Sequence, residues 1–163
     1  MPAILFVCIG NQYRSPVAAA YLIRLLQERG LDGWRVESAG TWTSPGQPSG
    51  EMANNAAQSV GIDIHEHITR IVNETLLAEY DLILVMEQGQ KEALSIEFPG
   101  VAPRIYLLSE MSDDVPYDVP DPLAQPHRRQ QILMDMCDLI ERGLPRIQAL
   151  VSSPRRSSPR RSS

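Results

Sequence analysis

Between two apolar stretches, residues 7–16 read VCIGNQYRSP, which places a thiol at Cys8, a guanidinium six positions later at Arg14 and a hydroxyl at Ser15. A thiolate is a strong nucleophile. The planar fork of an arginine bonds two oxygens of one phosphate, which the point charge of a lysine cannot copy. A short loop leading into a helix also presents backbone N–H groups and the positive end of the helix dipole to an anion. The same donors favour the charged form of a thiol at the loop's start. Residues Ile9, Gly10, Asn11, Gln12, Tyr13, Arg14 and Ser15 therefore have the composition of a cradle that holds a phosphate-sized dianion against a nucleophilic sulfur. Gly10 permits the turn, and Asn11 tolerates a left-handed backbone while its side chain ties the loop together. Ser15 can hydrogen-bond the sulfur when it must leave. This chemistry needs no metal and no cofactor. A plainer reading competes with it: Cys8 as a small core residue and Arg14 as a surface charge.

The flanking elements decide how much weight the cradle deserves. Residues 3–7 are a short continuous apolar run, as in a strand buried on both faces. Helical spacing follows, with Val17, Ala20, Tyr21 and Leu25 on one face. Ser15 is placed to cap this helix, Pro16 suits its first position and Gly30 its end. Residues 34–38 alternate as a second strand, 49–61 predict a helix ending at Gly61, and 81–86 and 104–108 predict two more apolar strands. A long amphipathic helix starts near residue 126, with Ile132, Leu133, Met136, Cys137 and Ile140 on one face. Gly143 and Pro145 predict a break or kink in it before Val151. Strands alternating with helices imply a parallel α/β sheet with right-handed crossovers. Ligands of such sheets sit beyond the carboxyl ends of the strands, where a loop enters a helix. Cys8 to Ser15 falls there.

At 163 residues, 43% of them hydrophobic and 21% charged, the chain suits one globular domain. We expect that domain over 1–151 and a disordered Ser/Pro/Arg tail, SSPRRSSPRRSS, over 152–163. The tail holds four arginines and no acid, so the net charge of −5 becomes −9 for residues 1–151 alone. An acidic body disfavours nucleic acid on the folded domain. No apolar run approaches the ~18 residues of a membrane span. Two distant cysteines and no secretory signal predict a reduced, cytoplasmic protein.

With these features together, the chain resembles the low-molecular-weight protein tyrosine phosphatases over residues 1 to about 150. The resemblance rests on VCIGNQYRSP, VESAG (36–40), GIDI (61–64), YDLILVME (80–87) and VPDP (119–122). It implies a doubly wound four-stranded parallel sheet of order 2-1-3-4 with flanking helices. It also implies a phosphotyrosine-containing protein or small aryl phosphate as substrate. Carried over residue by residue, Cys8 becomes the nucleophile, Arg14 the phosphate ligand and Asp121 the general acid, with Ser38 and His67 supporting the loop. Without the resemblance, Asp121 reads as a turn residue in SDDVPYDVPDP, alongside Asp113, Asp114 and Asp118.

The chain departs from the family at several positions. Tyr13 stands where many members carry a second cysteine that can shield the nucleophile in a disulfide, and Gln12 where Ile or Thr is common. Leu123 follows Asp-Pro where an aromatic is frequent. Trp42 and Leu123 are candidate walls of the substrate slot, with Trp42 alternatively packing on the domain. Phosphoarginine hydrolysis and arsenate reduction on the same fold remain alternatives, as does a non-catalytic phosphate-binding module. Arsenate reduction needs two further cysteines, and the chain offers only Cys137.

Overall fold

The N-terminal apolar run forms β1 (Ala3–Cys8), every residue of which is buried in a computed structural model that describes residues 1–112 and 115–153. Asp113, Asp114 and the tail from residue 154 onward lie outside the described residues. Three further strands, β2 (Arg35–Gly40), β3 (Leu82–Val85) and β4 (Ile105–Leu107), complete a sheet of order β2-β1-β3-β4 in which every pair is parallel. The expected doubly wound sheet and strand order are therefore present. β1 is central and pairs with both β2 and β3, so its residues alternate between two cores. Ile4, Phe6 and Cys8 face one core, with Leu22, Ile132 and Ile140; Ala3, Leu5 and Val7 face the other, with Leu77 and Leu94. This two-sided burial explains why β1 and β3 read as unbroken apolar runs.

Helix α1 (Arg14–Glu28) starts directly from the loop. Its end is a Schellman turn: Gly30, at φ 68°, donates to Gln27 and Leu31 donates back to Leu26 at 2.8 Å. The expected Ser15 cap is absent. Tyr13 holds the N-cap position without a side-chain bond, and Ser15 is already inside the helix, where its Oγ serves the loop. Pro16 is the third helical residue, still within the first turn, where its missing N–H would have had no partner.

Helix α2 (Glu51–Ser59) matches expectation, whereas α3 (Glu74–Ala78) and α4 (Gln88–Glu97) were not anticipated. α3 is too short to show a period, and α4 buries only Gln90 and Leu94. The final helix, α5 (Arg129–Ser152), runs unbroken through Pro145. Pro145 and Glu141, the residue whose carbonyl lost its donor, both lie on the exposed side, while Leu144, Ile147 and Val151 stay buried. Burial of that face outweighs one missing hydrogen bond. Gly143 is no breaker either: a Cβ there would meet Met111 Cβ at 2.6 Å, so it permits close packing.

Candidate active site

Cys8 ends β1 and the seven following residues wrap around its sulfur. Asn11 N–H donates to Sγ at 3.2 Å, and Ser15 Oγ lies 2.9 Å from it. Asn11 sits at φ 56°, in the left-handed region its residue type tolerates, and is fully buried. Its side chain is saturated. Nδ2 donates to Ser15 Oγ and Ser38 Oγ, each at 2.9 Å, and Oδ1 accepts from Arg70 N–H at 2.9 Å. Ser15 Oγ accepts from Asn11 and can turn its own O–H toward the sulfur. His67 Nε2 lies 2.7 Å from the Asn11 carbonyl, which only accepts, so Nε2 carries the proton. Burial pushes the His67 imidazole below its ordinary value, and the nearby Arg70 adds to this, against the bond to Asn11. His67 thus braces the loop as a neutral ring.

The loop carbonyls are turned outward. Thr41 N–H donates to the Cys8 carbonyl and Trp42 N–H to that of Ile9, both at 3.0 Å, and Ser49 Oγ donates to the Gln12 carbonyl at 3.0 Å. Among the described residues, the N–H groups of Gly10, Gln12 and Tyr13 have no protein acceptor. Free donors around a sulfur at a helix N-terminus suit a tetrahedral oxyanion.

Arg14 is nearly fully buried and fixed at one end. Its Nη1 donates to Glu87 Oε1 at 2.7 Å and to the Val119 carbonyl at 2.9 Å. The Nε–Nη2 edge has no such partner among the described residues, which leaves a fork for two phosphate oxygens. Val119 N–H in turn donates to the Met86 carbonyl at 2.8 Å, so the segment carrying Asp121 is tied beside Arg14. Asp121 Oδ1 accepts from Leu123 N–H at 2.9 Å. Burial raises the Tyr13 phenol above its ordinary value, opposed by Arg129 and reinforced by the Asp121 carboxylate. Asp118 has other work: its Oδ1 accepts from Gln88 N–H at 2.8 Å, at the start of α4. Trp42 does not pack on the domain; it is 84% exposed, and Leu123 is exposed as well.

The structure therefore joins Cys8, Asn11, Ser15, Ser38 and His67 in one hydrogen-bonded unit, with Arg14 clamped at the loop's end and Asp121 on the segment that Val119 ties to it. The sequence pattern of the low molecular weight phosphotyrosine protein phosphatases matches residues 3–156. The chain belongs to this family. As such it is a hydrolase acting on phosphomonoesters. The phosphatase is 36% identical over 152 residues to the probable low molecular weight protein-tyrosine-phosphatase EpsP of Ralstonia nicotianae, covering 90% of this chain and 97% of that one. A solved low molecular weight protein tyrosine phosphatase from T. tengcongensis superposes with a TM-score of 0.81 at 29% identity, covering 90% and 99% of the two chains. The YwlE arginine phosphatase from Geobacillus stearothermophilus gives 0.79 at 27% identity, covering 91% and 94%.

Four participants of this phosphatase's site escaped the sequence reading. Glu87 follows an apolar strand at its carboxyl end, a placement that could have flagged it. The Arg70 N–H and Val119 carbonyl are backbone groups and leave no residue signature. Gly40 lies opposite Cys8 in the sheet, and a Cβ on it would meet the Ile9 carbonyl at 2.7 Å and Asn11 Cβ at 3.0 Å. Gly40→Ala must therefore push the loop. We expect it to cost about 1–3 kcal/mol of stability in thermal unfolding and to raise the inhibition constant of inorganic phosphate. Wild-type values for both would show the loop to be compliant.

Proposed function

We propose that Cys8, Arg14 and Asp121 hydrolyse phosphotyrosine in proteins through a phosphocysteine. The observation that carries this reading is the sulfur of Cys8 surrounded by unpaired N–H donors at the start of α1. Sγ attacks phosphorus while the phosphate oxygens rest on the loop N–H groups from Ile9 to Ser15 and on the Nε–Nη2 edge of Arg14. The bond from phosphorus to the ester oxygen breaks, and that oxygen takes the Asp121 proton as it leaves. Water then attacks phosphorus, Asp121 recovers a proton from it, and the P–S bond breaks with Ser15 O–H steadying the departing thiolate. Trp42 and Leu123 supply apolar surface for the phenyl ring. The site is served by residues of 1–151, with the tail playing no part in the chemistry.

Two free cysteines, one of them the thiol that the chemistry needs reduced, support a cytoplasmic setting. No described helix is long and apolar enough to cross a membrane. The arsenate reductase alternative is disfavoured by Cys137, which is buried on α5. Burial pushes its thiol up to about 12, although Arg24 opposes, so it is a poor relay for oxidation from Cys8.

The test is steady-state turnover of matched phosphotyrosine, phosphoserine and phosphoarginine peptides in the presence of a chelator. Phosphotyrosine should be hydrolysed with the highest kcat/KM, undiminished by the chelator. A higher value for phosphoarginine would reassign the substrate. Phosphate binding without turnover of any peptide would make the chain a binding module.

A further inference from the structure

A groove of about 490 Å³ opens beside the phosphate loop at Ile9. Ile9, Trp42 and Ile71 line it with Val72, Ala93 and Leu94, and Glu87 and Glu97 also border it. Ile9 and Ile71 are each 39% exposed, and with Trp42 they form a continuous apolar surface reaching the residue after Cys8. The leaving oxygen of a bound phosphotyrosine must lie under Asp121 to be protonated. None of the described residues 115–125 lines the groove, so the groove does not hold the ring. It adjoins the site through Ile9, the residue after Cys8, and Glu87, the partner of Arg14.

Resting on the phosphatase reading above, we propose that this groove is a specificity subsite for an apolar side chain close in sequence to the phosphotyrosine of a protein substrate. Three observations select this occupant. The lining is aliphatic and aromatic, which suits a side chain such as Leu, Ile or Phe. The carboxylates of Glu87 and Glu97, on a body carrying −9, repel an acidic flank. The chain's own tail, SSPRRSSPRRSS, offers two prolines but no Leu, Ile or Phe with which to fill the site.

The test compares kcat/KM for phosphotyrosine peptides carrying Leu, Ser or Glu at each of two positions on either side, with phenyl phosphate as the substrate lacking flanks. At one of these positions Leu should be preferred over Ser by about tenfold, the usual worth of one aliphatic group in a pocket, and Glu should be worst. Ala93→Glu on the exposed face of α4 should erase the Leu preference while leaving phenyl phosphate turnover unchanged. Ile71→Ser should weaken it, and Glu97→Gln should narrow the penalty against Glu. Equal rates for all flanks, or a Leu preference that survives both Ala93→Glu and Ile71→Ser, would overturn the subsite. So would concentration-dependent dimerisation abolished by Ala93→Glu in the absence of a flank preference, which would give the groove to a second copy. Failure to hydrolyse even phenyl phosphate would instead remove the phosphatase reading and the subsite with it.

Discussion

Replacing Cys8 with serine is expected to lower turnover of phenyl phosphate by roughly 10⁴–10⁶-fold, the usual scale for removing a covalent nucleophile, while inorganic phosphate still binds. The two effects separate because different atoms supply them. Serine Oγ can still accept from Asn11 N–H and meet Ser15, so the loop keeps its fold, and Arg14 remains clamped at Nη1 by Glu87 and Val119. What disappears is the nucleophile: an alkoxide at neutral pH is far scarcer than a thiolate. Isothermal titration with phosphate should give an affinity within a few-fold of wild type. Arg14→Lys provides the contrast, since it loses the fork and should weaken phosphate binding as well as turnover. Substantial turnover by the serine variant would mean that another group attacks phosphorus.

How much of this site could be read in the chain follows from sequence distance. Cys8, Asn11, Arg14 and Ser15 sit within eight residues, so one quoted stretch carried the sulfur, the guanidinium and the turn residues. β1 was legible because a central parallel strand is apolar on both faces. The groups that lock the loop come from residues 38, 40, 67, 70, 87 and 119, brought close by crossovers whose geometry the local pattern does not encode. Ser38 and His67 entered only through resemblance. Gly40 looks like any glycine at a strand end, and its reason, the Ile9 carbonyl at 2.7 Å, exists only in the packed sheet. The reading of Ser15 as a cap failed because two roles compete for one hydroxyl, and the sulfur won. Pro145 shows the same hierarchy: a local helix-breaking rule yielded to burial of Leu144, Ile147 and Val151. Local rules therefore located the chemistry, and tertiary packing decided which side chains and backbone groups hold it in place.

Asp121 is the residue whose role leans most on resemblance, and its replacement gives the second large expected effect. Asp121→Asn should slow phenyl phosphate hydrolysis by roughly 10²–10⁴-fold, the usual worth of a positioned general acid. The loss should depend on the leaving group. Phenolate needs a proton as its bond to phosphorus breaks, whereas a nitrophenolate departs well as an anion and should lose much less in the phosphorylation step. A burst of nitrophenolate in the variant would separate that step from hydrolysis of the phosphocysteine, where Asp121 acts as base. Folding should be little disturbed, because asparagine Oδ1 can still accept from Leu123 N–H. Asp118→Asn is the matched control. Its Oδ1 can still accept from Gln88 N–H at the start of α4, so near-wild-type rates are expected with both substrates. A greater loss from Asp118→Asn than from Asp121→Asn, or equal losses from Asp121→Asn for the two leaving groups, would place the proton donor elsewhere. The geometry favours Asp121 because its segment is pinned at Val119 to both Met86 and Arg14, so the guanidinium that grips the phosphate also fixes the distance to the acid.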